Sequence, residues 1–246
     1  MRCTLVQMTA NAYIVSYERS CETLAKPSQE ARLTKKMPLA PNVTALPLRR
    51  PSRDEAEDAV RTLLAWAGDD PQRPGLINTP SRVADAYGEY FSGYRADAAA
   101  ELATTFEETS GYDDIVLLKD IRFESHCEHH IAPFAGVAHV AYMPSGRIVG
   151  LSKLARVVEI FARRLQTQET LTGEIALAIQ DALAAKGVAV MMSAEHTCMS
   201  ARGVRQPHVT TITSRFLGTF ETDAALRDRF LAMVNAPRSA ATLRNF

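Results

Sequence analysis

From residue 115 onward the apolar pattern changes period in an order that restricts the fold more than any other feature of the chain. Residues 115–123 are rich in β-formers, and 136–143 alternate at period two, with Val137, His139 and Ala141 set against Ala138, Val140 and Tyr142. Pro144-Ser145-Gly146 reads as a turn. Leu154, Val157, Val158, Phe161 and Leu165 then recur at helical spacing, and a second helix is expected over about 169–185, stopped at Gly187. Strands are expected over 188–192 and 209–216, followed by a closing helix over about 224–234. Strand, strand, helix, helix, strand, strand predicts an α+β fold: an antiparallel four-stranded sheet with two helices on one face. Such a sheet has two open edges, and pairing them between subunits is one way to satisfy them, so a homo-oligomer is expected.

Helices precede the sheet. Ser52 and Glu55 have capping-box spacing, and Ala59, Val60, Leu63, Leu64 and Ala67 follow at helical period up to Gly68. A breaker-rich loop covers 69–75, after which Thr79 is expected to cap a helix with Pro80 at its first position, running to Gly93. A short helix around 97–105 completes an N-terminal helical region, 51–110, ahead of the region expected to form the sheet, 111–246. Residues 1–50 differ from both. Basic residues outnumber acidic ones, prolines stand at 27, 38, 41 and 47, and apolar periodicity is weak, so a poorly ordered extension is expected. A start at Met37 and a targeting role for this segment are the alternatives.

Lysine plus arginine equals aspartate plus glutamate at 28 each, so no global charge argues for nucleic acid or an anionic membrane as partner. No apolar run reaches the roughly 20 residues of a membrane span. Cys3, Cys21, Cys127 and Cys198 are sparse and irregularly spaced, unlike a disulfide framework. A reducing, cytoplasmic setting is expected, with thiols free to bind metal.

Three of the six histidines fall in Ser125-His126-Cys127-Glu128-His129-His130, and a fourth, His196, stands two residues before Cys198. Zinc takes thiolate and imidazole ligands in a tetrahedral shell. Cys127 and His130, three apart, can converge on one ion from a turn, and Cys198 is the other thiol of the region expected to be ordered. Two cysteines and one histidine point to an open site whose fourth position holds water. A closed structural site, with His129 or His196 as fourth ligand, is the alternative. If 194–198 are extended, His196 and Cys198 share a side of the strand and His196 faces that water. Glu128 either orients a ligand or is a solvated turn carboxylate.

Ser152-Lys153-Leu154-Ala155-Arg156 opens a helix after Gly150, where free N–H groups and two cations suit an anion. Arg202 follows Cys198 by four residues, and Arg82 lies early in the second helix. Singly each reads as a surface cation; together they suggest a polyphosphate. Gln168-Glu169 offers donors and acceptors to a heterocycle, although Glu169 also suits a helix start.

These motifs resemble type I GTP cyclohydrolase over roughly residues 53–235: Ser125-x-Cys127-Glu128-His129-His130, Gly150-Leu151-Ser152-Lys153-x-x-Arg156, Gln166-x-Gln168-x-x-Leu171, and His196-x-Cys198-x-x-x-Arg202-Gly203. The resemblance implies Zn2+ held by Cys127, His130 and Cys198, with His129 and His196 moving protons. It implies guanine contacts from Gln168 and Glu169 with Ser152 nearby, and triphosphate contacts from Lys153, Arg156 and Arg202, with Arg82 reaching in from a neighbouring subunit. The implied reaction turns GTP and water into formate and 7,8-dihydroneopterin triphosphate, on a tunnelling fold assembled as a ring, typically a decamer with sites between subunits. A non-catalytic, zinc-stabilised purine- or pterin-binding member of the same fold is the rival reading. His126 departs from the apolar residue many members carry.

Overall fold

The structure, a computed structural model, describes residues 49–106 and 111–237. The extension expected over 1–50 therefore lies outside the described residues, except for Arg49 and Arg50.

Helix α1 (Arg53–Trp66) begins at the Ser52–Glu55 capping box, whose two reciprocal hydrogen bonds are both made. Helix α2 (Thr79–Tyr90) starts with Pro80 in its first turn, but Asn78 rather than Thr79 occupies the cap position, and no side chain caps it. Arg53 ties the two helices, donating to Asp85 at 2.6 Å and to the Ser81 hydroxyl at 2.9 Å. The expected run to Gly93 stops at Tyr90 and tightens into a 3-10 turn over Ser92–Arg95. Helix α3 (Ala98–Leu102) is short and capped by Asp97.

Four long antiparallel strands follow the predicted order. They are β2 (Val116–Cys127), β3 (Pro133–Met143), β6 (Gly187–His196) and β7 (Thr210–Gly218), with helices α4 (Leu151–Ala162) and α5 (Gln168–Leu183) between the two hairpins. Short pairings add to this frame. Strands β1 (Thr105–Phe106) and β4 (Ile148–Val149) pair with each other. Strand β5 (Leu165–Gln166) lies parallel to the end of β2, giving the sheet order β5-β2-β3-β6-β7. Leu165, expected to continue a helix, sits in this strand because α4 ends at Ala162.

Both α4 and α5 pack on one sheet face, as an α+β tunnelling fold requires. Leu154, Val157, Leu171, Ile175 and Ile179 meet Val140, Tyr142, Val188, Val190 and Met192 there, all fully buried. The opposite face is covered at one end. Helices α7 (Thr219–Thr222) and α8 (Ala224–Asn235) set Phe220 and Phe230 against Ala141 and Ala189. The alanines leave room for the aromatic rings.

A bulge in β2 decides which way its functional end faces. Leu118 pairs with Val140 and Ile121 with Ala138, so two residues, Lys119 and Asp120, oppose His139 alone. Asp120 takes the left-handed φ of 62° that this insertion needs, and its N–H donates to buried His139 Nδ1 at 3.2 Å. Side chains alternate on a strand, so one extra residue exchanges the faces beyond it. Leu117 packs on the α8 side, whereas Phe123 and Cys127 pack on the α4–α5 side.

A candidate metal centre and its surroundings

Cys127 is the last residue of β2, and the turn after it is built to return. Cys127 N–H donates to Ala132 O at 2.9 Å, and Ile131 N–H, at φ 54°, donates to Cys127 O at 2.8 Å. The pairing with β5 adds a bond from Glu128 N–H to Gln166 O at 3.1 Å. This turn carries His130 back so that its Nδ1 lies 3.7 Å from Cys127 Sγ.

Cys198 arrives differently from the expectation. Strand β6 ends at His196, and Cys198 lies in a single helical turn, α6 (Thr197–Ser200). Strand alternation is therefore not what brings the two side chains near the site. The turn is anchored where the Thr197 hydroxyl donates to Pro133 O at 2.6 Å.

The ligand atoms of Cys127, His130 and Cys198 all lie within 4.8 Å of one another, the one such group among the described residues. A tetrahedral zinc shell, with Zn–S ~2.3 Å and Zn–N ~2.0 Å, separates its ligand atoms by roughly 3.5–3.8 Å, so a small contraction suffices. Burial, and then the neighbouring Cys127 sulfur, push the Cys198 thiol above its ordinary pKa, against the pull of Arg202. Two close thiols resist ionising together, and a divalent cation between them removes that resistance. The donor set of Cys127, His130 and Cys198 thus fits zinc. Arg202 Nη1 lies 2.9 Å from His130 Nε2, and exposed His129 sits with Nδ1 3.8 Å from Cys127 Sγ.

His196 is held on two sides. Its ring stacks on buried Phe134 at 4.4 Å between centroids, 6° from parallel. Its Nε2 lies 2.8 Å from Gln168 Oε1. Gln168, expected at the heterocycle, is 1% exposed, and its amide is committed inside the protein. Its Nε2 donates to Thr211 O at 3.0 Å, Thr213 Oγ1 at 3.2 Å and Met192 O at 3.3 Å. An amide nitrogen facing this set fixes which way the side chain points. Oε1 must then accept from His196 Nε2–H, which leaves Nδ1 as the unprotonated nitrogen of the neutral ring. Burial lowers the His196 pKa, partly offset by the Glu169 carboxylate. Glu169 itself is exposed.

Ser152, Lys153 and Arg156 sit in the first turns of α4, whose N-cap Gly150 offers no side-chain bond. Here the structure holds a residue the sequence did not flag. Glu101 of α3 accepts from Lys153 Nζ at 2.9 Å and Arg156 Nη1 at 2.8 Å through the same oxygen. These hydrogen bonds hold the Glu101 carboxyl below its usual pKa. Arg82 is exposed on α2. His126, the residue that departs from the resemblance, is buried with its ring 4.7 Å from Tyr90 and 5.3 Å from Phe91. It faces away from the α4–α5 side that Cys127 joins, and it fastens the end of α2 to the sheet.

Of the residues that shape this region, Phe134 and Glu101 left no local signal, because each acts across the fold. The threonines did leave one. Thr211 and Thr213 alternate on β7, and Thr172 stands one turn after Gln168 among the buried residues of α5.

The family model for GTP cyclohydrolase I matches residues 56–235. GTP cyclohydrolase 1 of Hyphomonas neptunium is 63% identical over 186 residues, which cover 76% of this chain and 90% of that protein. The Maricaulis maris GTP cyclohydrolase 1 is 56% identical over 197 residues, 80% of this chain and 96% of its own length. That of Allorhizobium ampelinum is 60% identical over 185 residues, 75% and 92% respectively.

Proposed function

The chain belongs to the GTP cyclohydrolase I family, and on that premise we propose that Cys127, His130 and Cys198 hold the zinc ion with which it converts GTP and water to formate and 7,8-dihydroneopterin triphosphate. The observation that carries the assignment is the convergence of three ligand atoms within 4.8 Å, beside an imidazole fixed in one tautomer. Bound there, zinc supplies Lewis acidity toward water at neutral pH.

The chain's own residues divide the remaining work. His196 gives its Nε2–H to Gln168 and keeps Nδ1 free to take and return a proton, and its lowered pKa keeps it neutral near pH 7. His129 is exposed and suits exchange of protons with solvent. Glu169, at the start of α5, is the acceptor for guanine N–H groups, with Ser152 nearby. Gln168 acts on the reaction through His196 rather than on the base. Lys153, Arg156 and Arg202 receive the triphosphate, and Arg82 joins them from a neighbouring subunit. Cations spread over two elements suit a ligand with several phosphate groups.

A ring of subunits, a decamer by resemblance, completes the reading. Among the described residues strand β7 pairs only with β6, and beyond β3 strand β2 pairs only with the two residues of β5, so long edges are offered to other copies. The metal-binding thiols Cys127 and Cys198 suit a reducing cytoplasm. Among the described residues no helix is long and apolar enough to cross a membrane.

The test is turnover by the full chain. Incubation with GTP should release formate and the pterin in equal amounts, stop after zinc is removed by chelation, and resume when zinc is restored. Turnover that persists in rigorously zinc-free protein contradicts the metal assignment.

A further inference from the structure

Glu101 has no part in the reading above, yet it touches both of the α4 cations which that reading gives to the triphosphate. One carboxylate oxygen accepts from Lys153 Nζ at 2.9 Å and from Arg156 Nη1 at 2.8 Å. Lys153 and Arg156 are three residues apart on α4, so their charges share a helix face and repel unless an anion lies between them. Glu101 supplies that anion from 52 and 55 residues away in the chain.

We propose that Glu101 is a built-in competitor for the substrate's triphosphate, holding Lys153 and Arg156 in the ligand-free chain and surrendering them when the polyphosphate binds. The inference rests on the assignment of those two cations to the triphosphate.

Three features make Glu101 suited to this exchange. Its backbone is fixed and its carboxylate reaches solvent: Leu102 and Ala98 of α3 are 0% and 7% exposed and lock the helix to the core, whereas the Glu101 side chain is 22% exposed. The carboxylate also has somewhere to go. It borders a crevice of about 330 Å3 that Arg156 and Arg163 also line, and Arg163, 3.9 Å from the exposed Glu159 carboxylate, is the next cation along it. Finally, the charges are unequal. One carboxylate leaves the pair of cations with a net positive charge, whereas a polyphosphate neutralises both. An ion pair with solvent access holds weakly enough to be exchanged.

Competition lowers apparent affinity, so removing the competitor raises it. Glu101→Gln, which keeps the shape and removes the charge, should lower the KM for GTP by about three- to tenfold and leave kcat within about twofold. Magnesium-balanced tripolyphosphate, used as a competitive inhibitor of the zinc-loaded full chain, should gain affinity by a similar factor. Glu101→Ala should behave like Glu101→Gln, because loss of charge is what both share. If both variants bind GTP and tripolyphosphate as the parent does, or more weakly, Glu101 does not compete and the proposal is overturned. Arg156→Ala and Lys153→Ala, made with Glu101 intact, test the premise separately. Both should weaken tripolyphosphate. If neither does, the cations do not bind the triphosphate, and the inference falls together with its premise.

Discussion

Replacing Gln168 with methionine separates two roles that the sequence leaves open. Methionine keeps the length and most of the volume but removes every hydrogen bond. In the structure the Gln168 amide donates to Thr211 O, Thr213 Oγ1 and Met192 O and accepts from His196 Nε2. Each buried bond is worth about 1 kcal/mol net, but the variant also escapes the cost of burying an amide. A loss of about 2 kcal/mol is expected, which lowers the melting temperature by roughly 4–8 °C for a domain of this size. The kinetic effect should be more selective. Without Gln168 Oε1 the His196 ring is free to change tautomer and tilt, and kcat should fall about 10- to 100-fold, as when a group orienting a site histidine is lost. The KM for GTP should move less than about threefold. Melting curves and steady-state pterin formation read both quantities. A large rise in KM with kcat preserved would refute the reasoning, because it would mean that the amide contacts the substrate and not His196.

Other consequences follow from the fold and the metal group. Cys198→Ala should reduce bound zinc from about one per chain to near zero by elemental analysis while circular dichroism keeps the helix and strand signals, since α6 is held by Thr197 as well. Gly136→Ala should be among the most damaging substitutions in the sheet. Its Cβ would stand 1.9 Å from Ser193 O and 2.7 Å from Ala194 Cα, so β3 and β6 would have to part, costing about 3 kcal/mol or more in a melt. Burial holds His139 below its usual pKa, whereas unfolding restores an ordinary value near 6.5. Below about pH 6.5 the unfolded chain therefore binds more protons, and stability present above that pH drains away as pH falls. His139→Gln should flatten the decline in denaturation midpoint between pH 7 and 5; an unchanged slope assigns the titration elsewhere.

Much of this molecule is legible in its sequence because its signals are local. The Ser52–Glu55 box, the alternation on β3 and the apolar stripes of α4 and α5 each depend on residues a few positions apart, and each element forms there, although α4 ends at Ala162, short of Leu165. The candidate metal group is legible for a chemical reason: cysteine beside histidine is a rare conjunction with few uses. What stays hidden depends on tertiary context. The β-former run through Leu118 and Ile121 reads as one continuous strand, and only Asp120 hints at the bulge that turns Cys127 toward the helices. Alternation on an extended 194–198 would put His196 and Cys198 on one side, but Cys198 comes on a helical turn. Gln168 reads as a polar residue available to a ligand, because the oxygens that consume its amide belong to β6 and β7. Glu101 lies in an alanine-rich stretch with no charge pattern, and its partners are half a hundred residues away.

Zinc K-edge X-ray absorption on the isolated full chain distinguishes an open zinc site with three protein ligands from a closed one. An open site should give two sulfur scatterers at about 2.3 Å, two lighter scatterers near 2.0 Å, and outer-shell scattering from a single imidazole. Scattering from two imidazoles, with one lost on His129→Ala or His196→Ala, would show a closed four-ligand shell and contradict it.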